Sequence, residues 1–340
     1  MKPVRPVHRK LSDGRSIYYY GTVPGDDPPS DDRGLPVLTV NTSLRHDPLH
    51  DEWIAVASHR QTRTHLPSQS DCPLCPSTSE RRSEVPARDY EVVVFDNRFP
   101  SFGGDAAGSC EVVCFTPHHN RRFADLSAQR ARLVVDAWAD RTAELSRRSD
   151  VHQVFIFENR GVEIGVTLHH PHGQIYALPF VAPRTRRMLD VVSRDPDLVG
   201  EMVDRESTGP RVIAATAAWV AFVPEFARWP VEVHIYPRRK VCDLAELDEQ
   251  ERSELSVLYL DCLGRLDRVY DTAMPYISAW HQAPVREGRD AAWLRCEIIS
   301  IRRSRSRLKY LAGSESAMNV FVNDVAPEQM ASRLQALRGA

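Results

Sequence analysis

Short apolar runs separated by polar loops dominate the first half of the chain and predict β-strands. The runs are partly β-branched and fall, in order, at residues 11–20, 53–57, 90–100, 110–116, 154–157 and 175–178. From residue 127 to about 147, apolar side chains recur instead at helical spacing, behind a cap at Ser127 or Asp125. A further helix, rich in arginine and aspartate, is predicted between residues 184 and 204.

The second half of the chain has the pattern of a degraded copy of the first. Residues 219–230 and 231–252 repeat the patterns of 92–102 and 110–130 at an offset of about 120. A predicted helix follows in both halves, and in the second half it places four apolar side chains on one face: Leu255, Leu258, Cys262 and Leu266. Only the first copy contains a His-Pro-His sequence, so the chemistry is expected in that half.

These patterns divide the chain into three predicted parts. Residues 1–36 hold an N-terminal hairpin and a loop, and the prolines, glycines and aspartates at 22–36 are typical of a solvated segment. The compact part is predicted to begin near Val37. It consists of a first domain at 37–204, which carries the chemistry, and a second, degenerate domain at 205–340.

Composition and charge exclude several classes of function. The chain has 340 residues, 42% of them hydrophobic, which is ordinary for a globular protein of two or three domains. Its net charge is −2 with both signs interspersed, so neither nucleic acid nor a membrane surface is the expected partner. No apolar run resembles a signal peptide or approaches the roughly 20 residues of a membrane span, which places the protein in the cytoplasm. Seven cysteines, an odd number, fit reduced thiols.

A histidine-rich loop between two predicted strands is the strongest candidate for chemistry. It reads His-His-Pro-His-Gly-Gln at residues 169–174. Side chains of an extended chain alternate in direction, so His170, His172 and Gln174 are predicted to share one face. The proline keeps the preceding residue extended, and Gly173 allows backbone to approach a bulky ligand closely. The alternative is an ordinary histidine-containing turn, and the alternation argues against it.

Two further motifs precede this loop. Arg60 and Arg63 lie three residues apart directly after a predicted strand, and they belong either to a solvated surface or to a site that holds phosphate oxygens. Cys72 and Cys75 form a Cys-x-x-Cys sequence with three interpretations: a redox pair, two unrelated thiols, or half of a zinc site. No thioredoxin-like context is visible, and zinc needs two more ligands, which the histidines of the chain can supply.

A histidine in this setting suits transfer of a group between two phosphates. Neutral imidazole is a good nucleophile, and its attack on phosphorus gives a phosphoramidate that divides one transfer into two steps. For His172 to act in this way it must be oriented, the phosphate charge must be offset and water must be excluded. Gln174 and the arginines are the predicted donors to the phosphate oxygens.

Four motifs, taken together and in this order, carry a resemblance to a known family. They are Cys72-x-x-Cys75, Phe-Asp-Asn-Arg-Phe-Pro at 95–100, Phe-Glu-Asn-Arg-Gly at 157–161 and His-Pro-His-Gly-Gln at 170–174. The set resembles the galactose-1-phosphate uridylyltransferases, a tandem-repeat branch of the histidine-triad superfamily, from about Leu44 to Gln329. The resemblance implies an α+β fold of two tandem histidine-triad-like domains, with mostly antiparallel sheets flanked by helices.

The resemblance implies a ping-pong reaction. UDP-glucose gives UMP to His172, glucose 1-phosphate leaves, and galactose 1-phosphate takes the UMP to form UDP-galactose, with Gln174 as a catalytic donor to the phosphate. The implied nucleotide contacts are Arg60, Arg63, Asn97, Asn159, Gly165 and Thr167. The implied sugar-phosphate contacts, which the partner subunit of a homodimer supplies, are Lys309, Tyr310, Ser314 and Glu315. The implied zinc ligands, a closed and therefore structural set, are Cys72, Cys75, His119 and His170.

The sequence departs from the family pattern at two places. Arg98 replaces an aspartate that binds the ribose in some members, which leaves open a related nucleotidylyltransferase or phosphorylase that uses an adenine nucleotide. A second metal site, bound in some members by one Glu and three His, is predicted to be absent because its positions are occupied by Met188, His281, Arg295 and Glu297. The remaining alternative is a non-catalytic, zinc-stabilised nucleotide-binding protein, and the intact His172 and Gln174 argue against it.

Overall fold

The computed structural model describes residues 5–22 and 27–337. Part of the predicted N-terminal loop, at 23–26, and the two chain ends, 1–4 and 338–340, lie outside the described residues. Within the described ranges the chain forms one large antiparallel sheet, helices that pack against it and a separate two-stranded hairpin, so the α+β prediction is confirmed. No helix in these ranges is long and apolar enough to cross a membrane.

The described residues form thirteen strands and six α-helices. The strands are β1 (Val7–Lys10), β2 (Ser16–Tyr20), β3 (Ser43–Asp47), β4 (Glu52–Val56), β5 (Val92–Asp96), β6 (Ser109–Cys114), β7 (Gln153–Arg160), β8 (His172–Leu178), β9 (Val212–Ala215), β10 (Trp219–Phe222), β11 (Val231–Pro237), β12 (Tyr276–His281) and β13 (Arg295–Ser300). The helices are α1 (Ala128–Ser146), α2 (Pro183–Val192), α3 (Leu198–Thr208), α4 (Glu249–Arg268), α5 (Gly313–Met318) and α6 (Pro327–Ala336).

Ten of the eleven strands of the large sheet are arranged as two copies of one five-stranded unit, and β1 is an additional strand at one edge. The order of all eleven is β1-β2-β5-β6-β8-β7-β12-β13-β11-β10-β9. From the outer edges inward, β2, β5, β6, β8 and β7 of the first half therefore match β9, β10, β11, β13 and β12 of the second. The copies meet where β7 pairs with β12. The predicted repeat is present in the topology, whereas the exact domain boundary at 204 and 205 stays a prediction because the sheet is continuous.

The strands next to the central β7–β12 pair are β8 in the first copy and β13 in the second. His172 and Gln174 are the first and third residues of β8, and Arg295 and Glu297 are the first and third residues of β13. Gln174 lies opposite Phe157 of β7, and Glu297 lies opposite Ala279 of β12. Arg295 and Glu297 therefore hold places in β13 similar to those of His172 and Gln174 in β8.

One large hydrophobic cluster contains residues from both copies. Helices α1 and α4 pack against each other, one from each half. Trp138 of α1, Tyr259 of α4 and Trp280 of β12 are buried, with ring centroids 6.0 to 6.1 Å apart. The predicted apolar face of α4 is confirmed, since its four members are buried: Leu255, Leu258, Cys262 and Leu266. Ser127 is the cap of α1, because its Oγ accepts the N–H of Arg130 at 3.1 Å.

The predicted single helix at 184–204 is wrong. Two helices, α2 and α3, occupy this region and are separated by residues 193–197. Pro196 lies in that connection. Proline has no N–H to continue the helical hydrogen bonds and disfavours helical geometry in the residue before it, so α2 ends before Pro196, at Val192.

The compact structure begins earlier than the predicted Val37. β2 pairs with β5, and Tyr20 is fully buried in the main core. The following loop, predicted to be solvated, carries Asp31 and Arg33, whose side chains are only 2% and 10% exposed. Composition misleads here because these charges pair with each other and with the carboxylate of Glu84, which offsets much of the cost of leaving water.

Replacing Trp138 by alanine tests whether the two copies unfold as one unit. The cavity left in the shared core should lower the free energy of unfolding by about 3–5 kcal/mol. We expect one cooperative transition in urea, with intrinsic fluorescence and far-UV circular dichroism coinciding. Trp53→Ala is the control, since Trp53 is 41% exposed on β4 and its loss should change stability by only about 0.5 kcal/mol. Two separate transitions in the Trp138 variant would contradict a shared core.

Candidate active site

A cavity of about 280 Å³ lies beside strand β8. The residues predicted to be catalytic or to contact the nucleotide all line it: His172, Gln174, Arg60, Arg63, Asn97, Asn159, Gly165 and Thr167. They come from separate segments that the antiparallel pairing of β5, β6, β7 and β8 brings together. Their roles at the cavity remain predictions.

The alternation predicted for the histidine-rich loop holds for part of it. β8 begins at His172, and from there His172, Gln174 and Tyr176 line the cavity, while Ile175 and Ala177 enter the core. His170 precedes the strand, is fully buried and does not line this cavity. The prediction that three side chains share one face is therefore correct for two of them.

His172 is held in one tautomer. Its Nδ1 lies 2.7 Å from the carbonyl oxygen of His170, which can only accept, so Nδ1 carries the hydrogen. Burial lowers the pKa of His172, although the hydrogen bond to His170 acts in the opposite direction. The side chain is therefore a neutral imidazole whose Nε2 lone pair is available for nucleophilic attack.

Gly173 is needed for packing behind the cavity rather than for approach to a ligand. A Cβ on this residue would lie 2.9 Å from Cζ of Phe115 and 3.1 Å from the carbonyl oxygen of Phe157. Any larger residue would push β8 away from β7 and would move His172 and Gln174. The backbone at Gly173 does lie close to another group, as predicted, but that group belongs to the protein core and not to a ligand.

The loop between β7 and β8 carries the remaining predicted nucleotide contacts. Gly165 ends a short 3₁₀ turn at Val162–Ile164 with φ of 81°, a left-handed conformation that favours glycine. Two residues later, the carbonyl of Thr167 accepts the N–H of Leu66 at 2.8 Å. This bond ties the loop to the segment after the arginine pair, so both walls of the cavity are fixed relative to each other.

The predicted metal ligands are close together. Ligand atoms of Cys72, Cys75, His119 and His170 all lie within 4.8 Å of one another. Sγ of Cys75 is 3.3 Å from Nδ1 of His119 and 3.5 Å from Nδ1 of His170. Two ligands of a tetrahedral zinc ion, one sulfur and one nitrogen, are about 3.5 Å apart. The four residues therefore fit a tetrahedral metal site.

The tautomer and the neutral form of His170 also suit a cation. Nε2 of His170 donates to the carbonyl of Thr116 at 2.8 Å, so Nδ1 presents its lone pair toward Cys75. Burial lowers the pKa of His170 to about 3. Burial, reinforced by the neighbouring Cys72, raises the pKa of Cys75 to about 12. Thiolates are the metal-binding form of cysteine, so binding of a cation would release the thiol protons of Cys72 and Cys75.

A second cluster of ligand-type side chains lies in the other copy, on β11 and β13. Its members are Glu232, His234 and Glu297. The carboxylate of Glu297 is already contacted by two guanidinium groups, from Arg184 at 2.7 Å and Arg295 at 2.9 Å. Two cations at one carboxylate disfavour a third. The predicted absence of a second metal, based on Met188 and Arg295, remains a prediction.

The predicted sugar-phosphate contacts do not line the His172 cavity of the described chain. Lys309 and Glu315 pair with each other, Nζ to Oε1 at 2.6 Å, with side chains 7% and 4% exposed. Hydrogen bonds from Lys309 and from the Ala312 N–H lower the pKa of Glu315 to about 2. Tyr310 and Ser314, between them, are exposed. The ion pair of Lys309 and Glu315 therefore holds this segment in place, and Tyr310 and Ser314 face solvent.

One cavity residue, Glu84, was missed by sequence analysis. It is the carboxylate that contacts the unexpected Arg98, Oε1 to Nη1 at 3.3 Å. Both residues line the cavity. An isolated glutamate in a polar loop has no periodicity or motif, and its partners Arg15 and Arg33 are 69 and 51 residues away. The only signal in the sequence was that Arg98 departs from the family pattern.

A duplicated antiparallel unit, with an oriented neutral histidine facing a cavity lined by arginines, defines a group-transfer enzyme of the histidine-triad type. Two family models, for the N-terminal and C-terminal domains of galactose-1-phosphate uridyl transferase, match residues 103–182 and 191–340. A galactose-1-phosphate uridylyltransferase of Streptomyces lividans is 49% identical, covering 83% of this chain and 81% of its own. The chain belongs to the galactose-1-phosphate uridylyltransferase family.

Solved structures agree with this assignment. A uridylyltransferase structure has a TM-score of 0.77 at 33% identity, covering 86% of this chain and 98% of its own. An ADP-glucose phosphorylase of Arabidopsis thaliana shares the fold, with a TM-score of 0.69 at 22% identity over 87% of this chain and 98% of its own. Fold alone therefore does not separate uridine from adenosine chemistry.

Proposed function

We propose that this chain transfers UMP from UDP-glucose to galactose 1-phosphate through a covalent intermediate on His172. The observation that carries the proposal is the geometry of this histidine. Its Nδ1 is engaged by the His170 carbonyl, which leaves Nε2 as the nucleophilic nitrogen in a cavity that Arg60 and Arg63 also line. Membership in the uridylyltransferase family supports the choice of substrates.

The two steps balance without a further reactant. In the first, Nε2 of His172 attacks the α-phosphorus of UDP-glucose, an N–P bond forms, and the P–O bond to the β-phosphate breaks with its electron pair leaving on glucose 1-phosphate. In the second, a phosphate oxygen of galactose 1-phosphate attacks the same phosphorus and the N–P bond breaks. The positive charge on the uridylylated ring is stabilised by the Nδ1–H bond to the His170 carbonyl.

Gln174 and the arginine pair offset charge on the phosphates. Gln174 lies two residues after His172 on the same face of β8, so its amide can donate to an oxygen of the transferring phosphorus. Arg60 is fixed by a hydrogen bond from Nη1 to the carbonyl of Phe99. Arg63 is exposed and lines the same cavity. Guanidinium groups suit phosphate oxygens because they donate in a planar fork.

We also propose that zinc is the metal held by Cys72, Cys75, His119 and His170. Two thiols and two imidazoles are the donors that zinc prefers in structural sites, and four protein ligands leave no position for water. Bound there, the ion would brace the segment that precedes β8. The cysteines, the β6–α1 loop and the histidine loop would be tied together two residues from the nucleophile.

The proposed assembly is a homodimer in which the segment at 309–322 reaches the partner's cavity. This segment exposes five large apolar side chains, between 47% and 75% of each: Tyr310, Leu311, Met318, Val320 and Val322. Apolar groups clustered in one exposed stretch favour burial against another surface. The β3–β4 hairpin adds Leu49 at 88% and Ile54 at 48%.

Labelling tests the covalent intermediate. Incubation with UDP-glucose radiolabelled in its uridylyl group, without acceptor, should place an acid-labile, alkali-stable label on the protein. His172→Asn should abolish this label because its amide cannot attack phosphorus, whereas His152→Asn, which alters an exposed histidine, should retain it. Labelling from ADP-glucose or ATP, but not from UDP-glucose, would reverse the choice of nucleotide. If none of the three compounds labels the protein, the proposed mechanism is refuted.

Metal analysis tests the zinc site. Purified protein should contain about one zinc per chain, and Cys72→Ser/Cys75→Ser should lose it and unfold at a lower temperature, because two thiolate ligands are removed. Cys242→Ser, a partly buried thiol outside the cluster, is the control and should keep its zinc. Undiminished zinc in the double variant would exclude this ligand set.

Mass in solution tests the dimer. Light scattering should give twice the chain mass of 38.5 kDa. Met318→Asp/Val320→Asp should shift the protein to monomer and lower transfer at least tenfold, since two charges would be buried in the interface. Val257→Asp, on an exposed position of α4 that is 55% exposed, should change neither property. A monomeric wild type with full activity would exclude a shared active site.

A further inference from the structure

The cavity around His172 contains one carboxylate among the described residues that line it. That carboxylate belongs to Glu84, and the other charged lining groups are guanidinium groups of Arg60, Arg63 and Arg98. The Glu84 side chain is 7% exposed. Arginines suit the phosphates of a nucleotide sugar, whereas a carboxylate repels them. Glu84 must therefore face a part of the ligand that donates hydrogen bonds.

Glu84 is held in place from behind by two arginines, of which Arg15 is buried and Arg33 is largely buried. Oε2 accepts from Arg15, and Oε1 accepts from Nη1 of Arg33 at 2.9 Å. Each arginine has its own counter-ion, because Nε of Arg15 lies 2.8 Å from Asp13 and Nε of Arg33 lies 2.8 Å from Asp31. The carboxylate is therefore oriented by a rigid and electrically balanced support.

One side of this carboxylate is less firmly occupied. A carboxylate offers about four acceptor positions, and three guanidinium groups use three of them. The contact from Arg98, at 3.3 Å, is longer than that from Arg33, at 2.9 Å, and the Arg98 side chain is 44% exposed. The Arg98 side of Glu84 is thus where a ligand hydroxyl can be accepted without displacing Arg15 or Arg33.

We propose that Glu84 and Arg98 together bind the ribose hydroxyls of the nucleotide sugar. The pair presents an acceptor and a donor side by side, and a vicinal diol matches it, with the 2′-hydroxyl donating to the carboxylate and the 3′-hydroxyl accepting from the guanidinium. Apolar side chains of Leu74, Phe95 and Val112 line the same cavity and suit the face of the base. The inference rests on the proposed function only in taking the ligand to be a ribonucleoside diphosphate sugar.

Binding of UDP and 2′-deoxy-UDP to the full-length protein, measured by calorimetry, tests this subsite. Wild type should bind UDP about tenfold or more tightly, because a hydrogen bond to a charged group is lost with the deoxy sugar. Glu84→Met should reduce this ratio to about one, and Glu84→Gln, which keeps a neutral acceptor, should give an intermediate ratio. Arg98→Met should weaken binding of both ligands to a similar extent, because the 3′-hydroxyl is present in both, and the half-exposed site of Arg98 tolerates the change.

Asp31→Asn is the matched control for structural damage. It weakens the support of Arg33 but does not line the cavity, so it should lower the melting temperature while preserving the UDP to 2′-deoxy-UDP ratio. Equal binding of the two ligands by wild type, or an unchanged ratio in Glu84→Met, would overturn the proposal. Binding does not depend on transfer: failure of the labelling experiment leaves this test intact, and ADP with 2′-deoxy-ADP replaces the pair if wild type binds only adenine nucleotides.

Discussion

The hydrogen bond from Nε2 of His170 to the carbonyl of Thr116 is the contact on which the site depends. It turns Nδ1 of His170 toward Cys75, and the backbone carbonyl of the same residue accepts from Nδ1 of His172. Two histidines two residues apart are thereby set in opposite tautomers by two carbonyl groups. One presents Nδ1 to the cysteine cluster and the other keeps Nε2 for the cavity, so bracing and nucleophile belong to one rigid unit.

The local chemistry could be predicted from the sequence because its residues are close along the chain. His172 and Gln174 share a face through the alternation of β8, and Cys72 and Cys75 lie near each other through their spacing. Contacts between distant charges could not be predicted. The burial of Asp31 and of Arg33 depends on Glu84, about 50 residues away, and composition alone assigns a charged, proline-rich segment to solvent.

The second copy retains the fold with different side chains on the strand that corresponds to β8. Arg295 is the first residue of β13, as His172 is of β8, and a guanidinium group, always protonated, has no lone pair with which to attack phosphorus. Glu297, the third residue of β13, is held by Arg295 and Arg184. These side chains fill their own site with paired charges. What the second copy contributes is half of the sheet and α4, without which Trp138 and the inner face of the first copy would lack a partner.

Arg98 is an anomaly only when it is considered alone. A carboxylate carried by a loop, rather than by a strand end, must be oriented and its burial must be offset by opposite charge. Arg15 and Arg33 do both, and each is in turn balanced by an aspartate two residues before it. With the carboxylate fixed from behind, an arginine at position 98 completes a donor–acceptor pair instead of breaking one. The hairpin and loop before Val37 therefore support the wall of the His172 cavity from behind, through Arg15 and Arg33, although they precede every motif that identifies the family.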